Sequence, residues 1–304
     1  METMDTVILG AGAAGLFCAG AILQAKGMAG HRVLVLDHAD APGEKIRISG
    51  GGRCNFTNLA SAPDRFLSQN PRFAASALAG FRPAEFVALI DRAGIAWHEK
   101  TLGQLFCDGS ARQVIDMLLN RMRGAELRLN TGVEGVAAQD GGFVITTSGG
   151  PVRAGRVVVA TGGKSIPKMG ATGIGYDIAR AHRLAIIEPR AGLVPLTFAQ
   201  QDLDLCRPLA GLSVTAEVSH GTGRSRARFH DGLLFTHRGL SGPAILQISN
   251  FWHPGDEITV DLAPGTDIAA GLLEARGQGG RIAISTPKAT RPRSAQGWRA
   301  ASRC

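Results

Sequence analysis

The chain has 304 residues, of which 44% are apolar, 19% charged and 41 glycine, enough for two domains and a sizeable core of loop-rich α/β type. Its formal charge of +8 suggests a nucleic-acid partner, but residues 276–304 hold 7 Lys or Arg and no acid, leaving 26 basic against 25 acidic residues in 1–275, a nearly neutral field that does not support one. No apolar run approaches the length of a membrane span, and the start METMDTVILGAG lacks the basic region of a secretory signal.

Residues 5–9, DTVIL, read as a buried strand leading into GAGAAG, with the following LFCAGAILQAKG as a helix. Gly10, Gly12 and Gly15 form a G-x-G-x-x-G at the strand-to-helix turn: the first allows the tight turn, the second lets backbone meet a pyrophosphate, and the third lets helix pack on sheet. Ala14 lies in the helix start, where free N–H groups and the positive dipole end favour phosphates. A second strand, RVLVLD, ends in Asp37, 22 positions past Gly15, where a carboxylate accepts ribose hydroxyls. This order of strand, turn, helix, strand and acid predicts a dinucleotide fold. Asp37 by itself suits NAD slightly better than FAD.

The stretch KIRISGGGRCNFTN, residues 45–58, decides between them. Gly50, Gly51 and Gly52 weaken either kind of regular element, and a bare backbone there suits a ring system lying flat on it. Arg53 faces a diphosphate or an anionic ring in this reading, and the amides of Asn55 and Asn58 satisfy polar ring edges. Cys54 is the candidate proton donor, its pKa expected to be lowered by neighbouring Arg53. His237, in FTHRGLSG, is the second candidate because its ring titrates near neutrality.

Downstream, PAEFVALIDRAG and ARQVIDMLLNRMRG read as amphipathic helices closed by Gly94 and Gly124, with core packing as their role. ELRLN and FVITTS suggest a small β layer beside the first sheet, and RVVVATGG a buried strand whose end at Thr161, Gly162 and Gly163 passes under the cofactor. From Leu193 the pattern changes to short strands, LSVTAEVS, RARFH and EITVDL, with one helix at SGPAILQIS. Five cysteines form no C-x-x-C pair and eight histidines are scattered singly, so a local dithiol and a metal site are not expected, and a reducing cytoplasm is.

GAGAAG, GEKIRISGGGRCNFTN, VVVATGGKSIP, GATGIGYDIARAH, LVPL and DGLLFTHRGLSGPAILQIS together resemble the signature blocks of the bacterial HI0933-like FAD-dependent flavoproteins, also described as aminoacetone-oxidase-like. The resemblance runs from about residue 5 to about residue 275. It implies an α/β fold, a Rossmann-type FAD-binding domain with an inserted, mostly β second domain, here residues 1–190 and 191–275, followed by a basic tail at 276–304. By matching motif, Gly10, Gly12, Gly15 and Asp37 hold the adenosine diphosphate, Val133 gives adenine a backbone contact, and Lys45, Ser49, Gly50, Gly52, Arg53, Asn55 and Asn58 line the flavin end. Asp37 stands where the pattern usually has Glu, and Cys107 where it commonly has proline.

The activity implied is hydride transfer through the flavin, reducing a conjugated C=C bond in a small molecule or in a nucleobase such as a uracil of ribosomal RNA. NAD(P)H is a transient reductant that must visit the flavin directly, since no second G-x-G-x-x-G is present. Oxidation of a small amine and a flavin-binding module without turnover are the alternatives. Relatives of this pattern continue well past residue 275, whereas this chain turns aperiodic and Arg-rich. That implies a truncated relative with weakened flavin retention, disordered after about residue 285, with any RNA affinity carried mostly by the tail.

Overall fold

The computed structural model describes residues 1–223 and 226–267, together with Ala270, Leu273 and the pair 298–299. Expectations placed on the rest of the ending, its disorder and its RNA affinity included, lie outside the described residues. The chain divides into two compact units, Met1–Glu188 and Pro189–Cys304.

In the first unit, in chain order, β1 (Glu2–Leu9), α1 (Ala13–Gln24), β2 (Val33–Leu36), α2 (Glu44–Ile48), β3 (Asn55–Asn58), α3 (Ala75–Gly80), α4 (Pro83–Arg92), β4 (Trp97–Glu99), β5 (Gln104–Cys107), α5 (Ala111–Arg121), β6 (Glu126–Arg128), β7 (Val133–Gln139), β8 (Gly142–Thr147), β9 (Val152–Val159) and α6 (Ile174–Ala181) follow one another. Six strands form one sheet in the order β6-β2-β1-β9-β8-β7. The first four run parallel, and β8 runs antiparallel between β9 and β7. The VLVL of β2 is buried at every position, which is why it reads as an unbroken apolar run, as a parallel strand covered on both faces should.

Alternation along β1 sends side chains to two cores. Ile8 faces a cluster with Leu16 and Ala19 of α1 and Val114, Ile115 and Leu118 of α5, while Val7 and Leu9 join Leu34, Leu36, Ile145 and Ile178 on the other face. Each such Leu or Ile contributes about 1.5–3 kcal/mol by burial. Helix α4 opens on Pro83, with the Glu85 carboxylate accepting the Arg82 N–H at 2.5 Å. Ser110 caps α5 by accepting the Arg112 N–H at 3.2 Å, and Gln113 returns the favour to the Ser110 N–H at 3.2 Å.

The expected separate β layer from ELRLN and FVITTS does not form. Those residues extend the main sheet at its two ends, as β6 beside β2 and β8 beside β9. A different, three-stranded antiparallel sheet stands apart, in the order β3-β5-β4.

The second unit contains β10 (Leu196–Thr197), α7 (Gln200–Cys206), β11 (Ser213–His220), β12 (Ala227–Thr236), β13 (Gly239–Ser241), α8 (Pro243–Ile248), β14 (Glu257–Asp261) and β15 (Trp298–Arg299). Its strands make one antiparallel sheet, β10-β13-β12-β11-β14-β15. Ala244, Ile245 and Ile248 of α8 close its core against Ala216, Val218, Leu233 and Phe235.

Candidate functional site

The strand-to-helix turn is built from contacts that leave no room for side chains where the chain meets itself. Gly10 has φ +111°, and a Cβ there would collide with the Ala160 carbonyl; one at Gly15 would collide with the carbonyl of Gly10. Gly12 is the opposite case, since nothing lies within 4 Å of where its Cβ would be. Gly10 and Gly15 are thus required by the protein's own packing, whereas Gly12 faces open space at the helix start. Ala13 and Ala14 begin α1, whose first-turn N–H groups have no helical acceptor.

Asp37 closes this turn from the side. Its Oδ2 accepts the Ala11 N–H at 2.6 Å and its Oδ1 the Ala39 N–H at 2.9 Å, with His38 Nδ1 3.4 Å from Oδ1. A carboxylate offers about four lone-pair directions, so capacity remains for two hydroxyls. Behind it, the Thr131 N–H donates to the Asp37 carbonyl at 2.8 Å and the Asn130 N–H to the Ala39 carbonyl at 2.9 Å. This brings the approach to Val133, the first residue of β7, alongside the acid.

Gly50, Gly51 and Gly52 have φ of +58°, +66° and +87°, a left-handed run between α2 and β3. A Cβ on Gly50 would strike the Phe106 ring at 2.8 Å, whereas Gly51 faces open space. The glycines therefore serve the backbone's own turn as well as leaving a bare surface. Arg53 interrupts this run at φ −104°; Cys54 returns to the left-handed region at φ +51°, is buried, and donates its N–H to the Ser49 carbonyl at 3.0 Å.

A cavity of about 510 Å³ opens here, lined by Ala13 and Ala14 of α1, Lys45, Ser49, Cys54, Asn55 and a wall of Phe17, Phe56, Phe81 and Phe86. It lies between the strand-to-helix turn and the glycine loop. Lys45 crosses to the loop after β9, its Nζ 3.2 Å from Ser165 Oγ and 3.5 Å from the Gly163 carbonyl, so the sequence-distant Lys45, Gly162 and Gly163 meet. Thr161 stands at the same crossing, under Gly175 in the first turn of α6.

Arg53, Asn58 and His237 are not among the residues that line the cavity. Arg53 is exposed, and its carbonyl accepts the Cys107 N–H at 2.9 Å. Asn58 does not line the cavity: its amide donates to the Leu102 carbonyl at 3.0 Å and accepts the Ala60 N–H at 2.7 Å, pinning two turns together. His237 is exposed in the tight turn between β12 and β13 of the second unit.

The expected lowering of the Cys54 pKa is reversed. Burial pushes the thiol up, and the hydrogen bond to Ser49 opposes this only in part. The thiol is consequently protonated at neutral pH. Cys107, next to it across the β3–β5 ladder, is pushed up to about 11 by burial, with Cys54 and Asp108 adding to the effect. The aromatic wall was the main feature the sequence reading missed; its Phe residues come from α1, β3, α4 and the α3–α4 turn, and share no period.

Residues 4–237 match the family described as HI0933-like protein Rossmann domain, and residues 190–290 the one described as HI0933-like protein barrel and H2TH domain. The chain is 47% identical over 278 residues to the ribosomal RNA dihydrouridine synthase of Escherichia coli, covering 91% of this chain and 68% of that protein. It is 42% identical over 278 residues to the Haemophilus influenzae protein of the same name, covering 90% and 67%. A 3-dehydro-bile acid delta(4,6)-reductase of Clostridium scindens is 31% identical over 249 residues, covering 80% and 59%.

Proposed function

The chain belongs to the HI0933-like family, and from that premise we propose that it reduces uracil bases of ribosomal RNA to dihydrouracil, with FAD as its cofactor and NAD(P)H as the reductant. The observation that carries this reading is the 47% identity to a ribosomal RNA dihydrouridine synthase across 91% of the chain. The bile-acid reductase among its relatives supports the reaction class, reduction of a conjugated C=C bond, over amine oxidation.

The residues present fit FAD. Open space at Gly12 and Gly51, spare acceptor capacity on Asp37 and the cavity between α1 and the glycine loop all leave room where side chains or hydrogen bonds would otherwise close it. Gly10, Gly12, Ala14, Gly15 and Asp37 would hold the adenosine diphosphate, with Val133 beside the base. Lys45, Ser49, Gly50, Gly52, Arg53, Asn55, Thr161, Gly162 and Gly163 would surround the flavin end.

Bound FAD supplies the hydride. The chain supplies the proton and the dry surroundings. Cys54 is the proton donor in this proposal: its thiol lines the cavity and, held above the ordinary thiol range by burial, keeps its proton at neutral pH. Phe17, Phe56, Phe81 and Phe86 exclude water from the base and offer it rings to stack on.

The test is to reduce the holoprotein without oxygen and add an unmodified ribosomal RNA transcript, following flavin reoxidation and dihydrouridine formation together. Both should proceed at the same rate. Reoxidation by a small enone or an amine's imine product, with none by RNA, would overturn the substrate assigned here.

A further inference from the structure

Every residue from Pro63 to Phe73 is exposed, although the segment contains Phe66, Leu67 and Phe73. Phe73 is 77% exposed, Phe66 48% and Leu67 54%, a concentration of uncovered apolar surface that isolated surface residues do not produce. Arginine adjoins the aromatics in this segment, as Arg65-Phe66 and Arg72-Phe73, and again just past α3 as Phe81-Arg82. The Arg65 and Arg82 side chains are largely exposed and make only loose pairs, at 3.8 Å to Asp64 and 3.7 Å to Glu85.

The segment is held in shape by its own turns. Ser68 Oγ accepts the Asn70 N–H at 3.1 Å, Asn70 Oδ1 the Arg72 N–H at 3.2 Å, and the Asn70 carbonyl the Phe73 N–H at 3.0 Å. Its rings are therefore presented by an ordered backbone, which lowers the entropy lost on binding. Phe73 leads through α3 to Phe81, which is both partly exposed and part of the cavity wall, 5.1 Å from the Phe17 ring. The six residues of α3 rise about 9 Å, a distance spanned by two to three stacked bases.

We propose that residues 63–82 are the docking surface for an unpaired RNA strand, with Phe66 and Phe73 stacking on bases, Arg65, Arg72 and Arg82 meeting phosphates, and Phe81 marking where the target base turns into the cavity. This deepens, and rests on, the ribosomal RNA substrate proposed above. Aromatic platforms with neighbouring arginine are the chemistry of single-strand recognition. They also give a chain whose residues 1–275 are nearly neutral a local means of holding a polyanion.

The test compares the holoprotein with Phe66→Ala/Phe73→Ala and with Arg72→Glu, after confirming equal flavin content. Two readouts are taken: affinity for a labelled uridine-rich single-stranded RNA, and reoxidation of the reduced flavin by that RNA or by uridine mononucleoside. The double variant should bind the RNA at least about 10-fold more weakly and leave the mononucleoside reaction unchanged. Arg72→Glu should weaken binding and flatten its salt dependence. If wild type and double variant handle RNA equally, the surface is wrong and the substrate reading stands. If wild type reacts with the mononucleoside but neither binds nor reduces RNA, the substrate reading falls and takes the surface with it. A dimer that the double variant dissociates, with RNA binding intact, would assign this face to a second copy and overturn the proposal.

Discussion

Asp37 Oδ2 lies 2.6 Å from the Ala11 nitrogen, so the acid at the end of β2 holds the glycine turn at the end of β1 before any ribose reaches it. The carboxylate is thus a structural tie as well as the proposed acceptor for the ribose. Removing it as Asp37→Ala frees the Ala11 and Ala39 N–H groups and deletes the acceptor for the ribose. A hydrogen bond to a charged group contributes roughly 1.5–3 kcal/mol, so FAD should bind some 10- to 100-fold more weakly, with a smaller fall in thermal stability. Titration of apoprotein with FAD measures the first and thermal unfolding of the apoprotein the second. Unchanged affinity would mean that the acid serves the turn alone.

Gly12 and Gly15 should separate binding from folding. Gly12→Val places its branches in open space, and the apoprotein should unfold at nearly the wild-type temperature while retaining no FAD. Gly15→Val drives a side chain into the Gly10 carbonyl and should cost several kcal/mol, the size of core overpacking with backbone shift, and leave little soluble protein. Circular dichroism of both apoproteins, beside their flavin absorbance, checks this.

Cys54→Ser keeps the shape of the side chain and raises the proton's pKa far beyond use. Turnover should fall at least about 100-fold, flavin content hardly at all. Because burial raises the thiol's pKa, the wild-type rate should hold level through neutral pH and decline only in the alkaline range as the proton is lost. Parallel losses of flavin and turnover would make Cys54 a packing residue.

Cys107 gives a stability prediction with a definite sign. Its thiol is raised from 9.0 to about 11 in the folded chain, so between those values the unfolded chain gives up a proton that the folded chain keeps. Stability is then full below about pH 9 and falls as pH rises toward 11. Cys107→Ala should flatten that alkaline fall while lowering stability at neutral pH for the lost packing. Urea midpoints from pH 8 to 11 decide it.

The parts legible in the sequence are those where chemistry is local. GAGAAG followed by a helix, and VLVL ending in Asp37, carry their reasons within a few residues, and β1, α1, α4 and α5 formed where periodicity and turn residues placed them. What escaped was set by distant partners. NFTN is a strand only because QLFC pairs with it from about fifty residues away, and ELRLN and FVITTS joined the main sheet rather than a layer of their own because β2 and β9 offered edges. The Cys54 pKa was misjudged for the same reason: Arg53 is adjacent in sequence but exposed, and the burial that raises the thiol comes from residues far along the chain.

The pairing of β1 with β9 has a consequence for synthesis. Leu9 lies opposite Val159, and the Gly10 turn is closed by the Ala160 backbone, so the turn proposed to meet the diphosphate is made first and completed 150 residues later. At 5–20 residues per second this is a delay of roughly 8 to 30 s, during which Val7, Ile8 and Leu9 lack the strand that covers one edge of β1. A ribosome-bound fragment that has not yet emerged through β9 holds no closed cofactor turn. FAD is accordingly a ligand of the later nascent chain, and a cell short of the cofactor meets that shortage after, rather than during, the laying down of the first strand and helix.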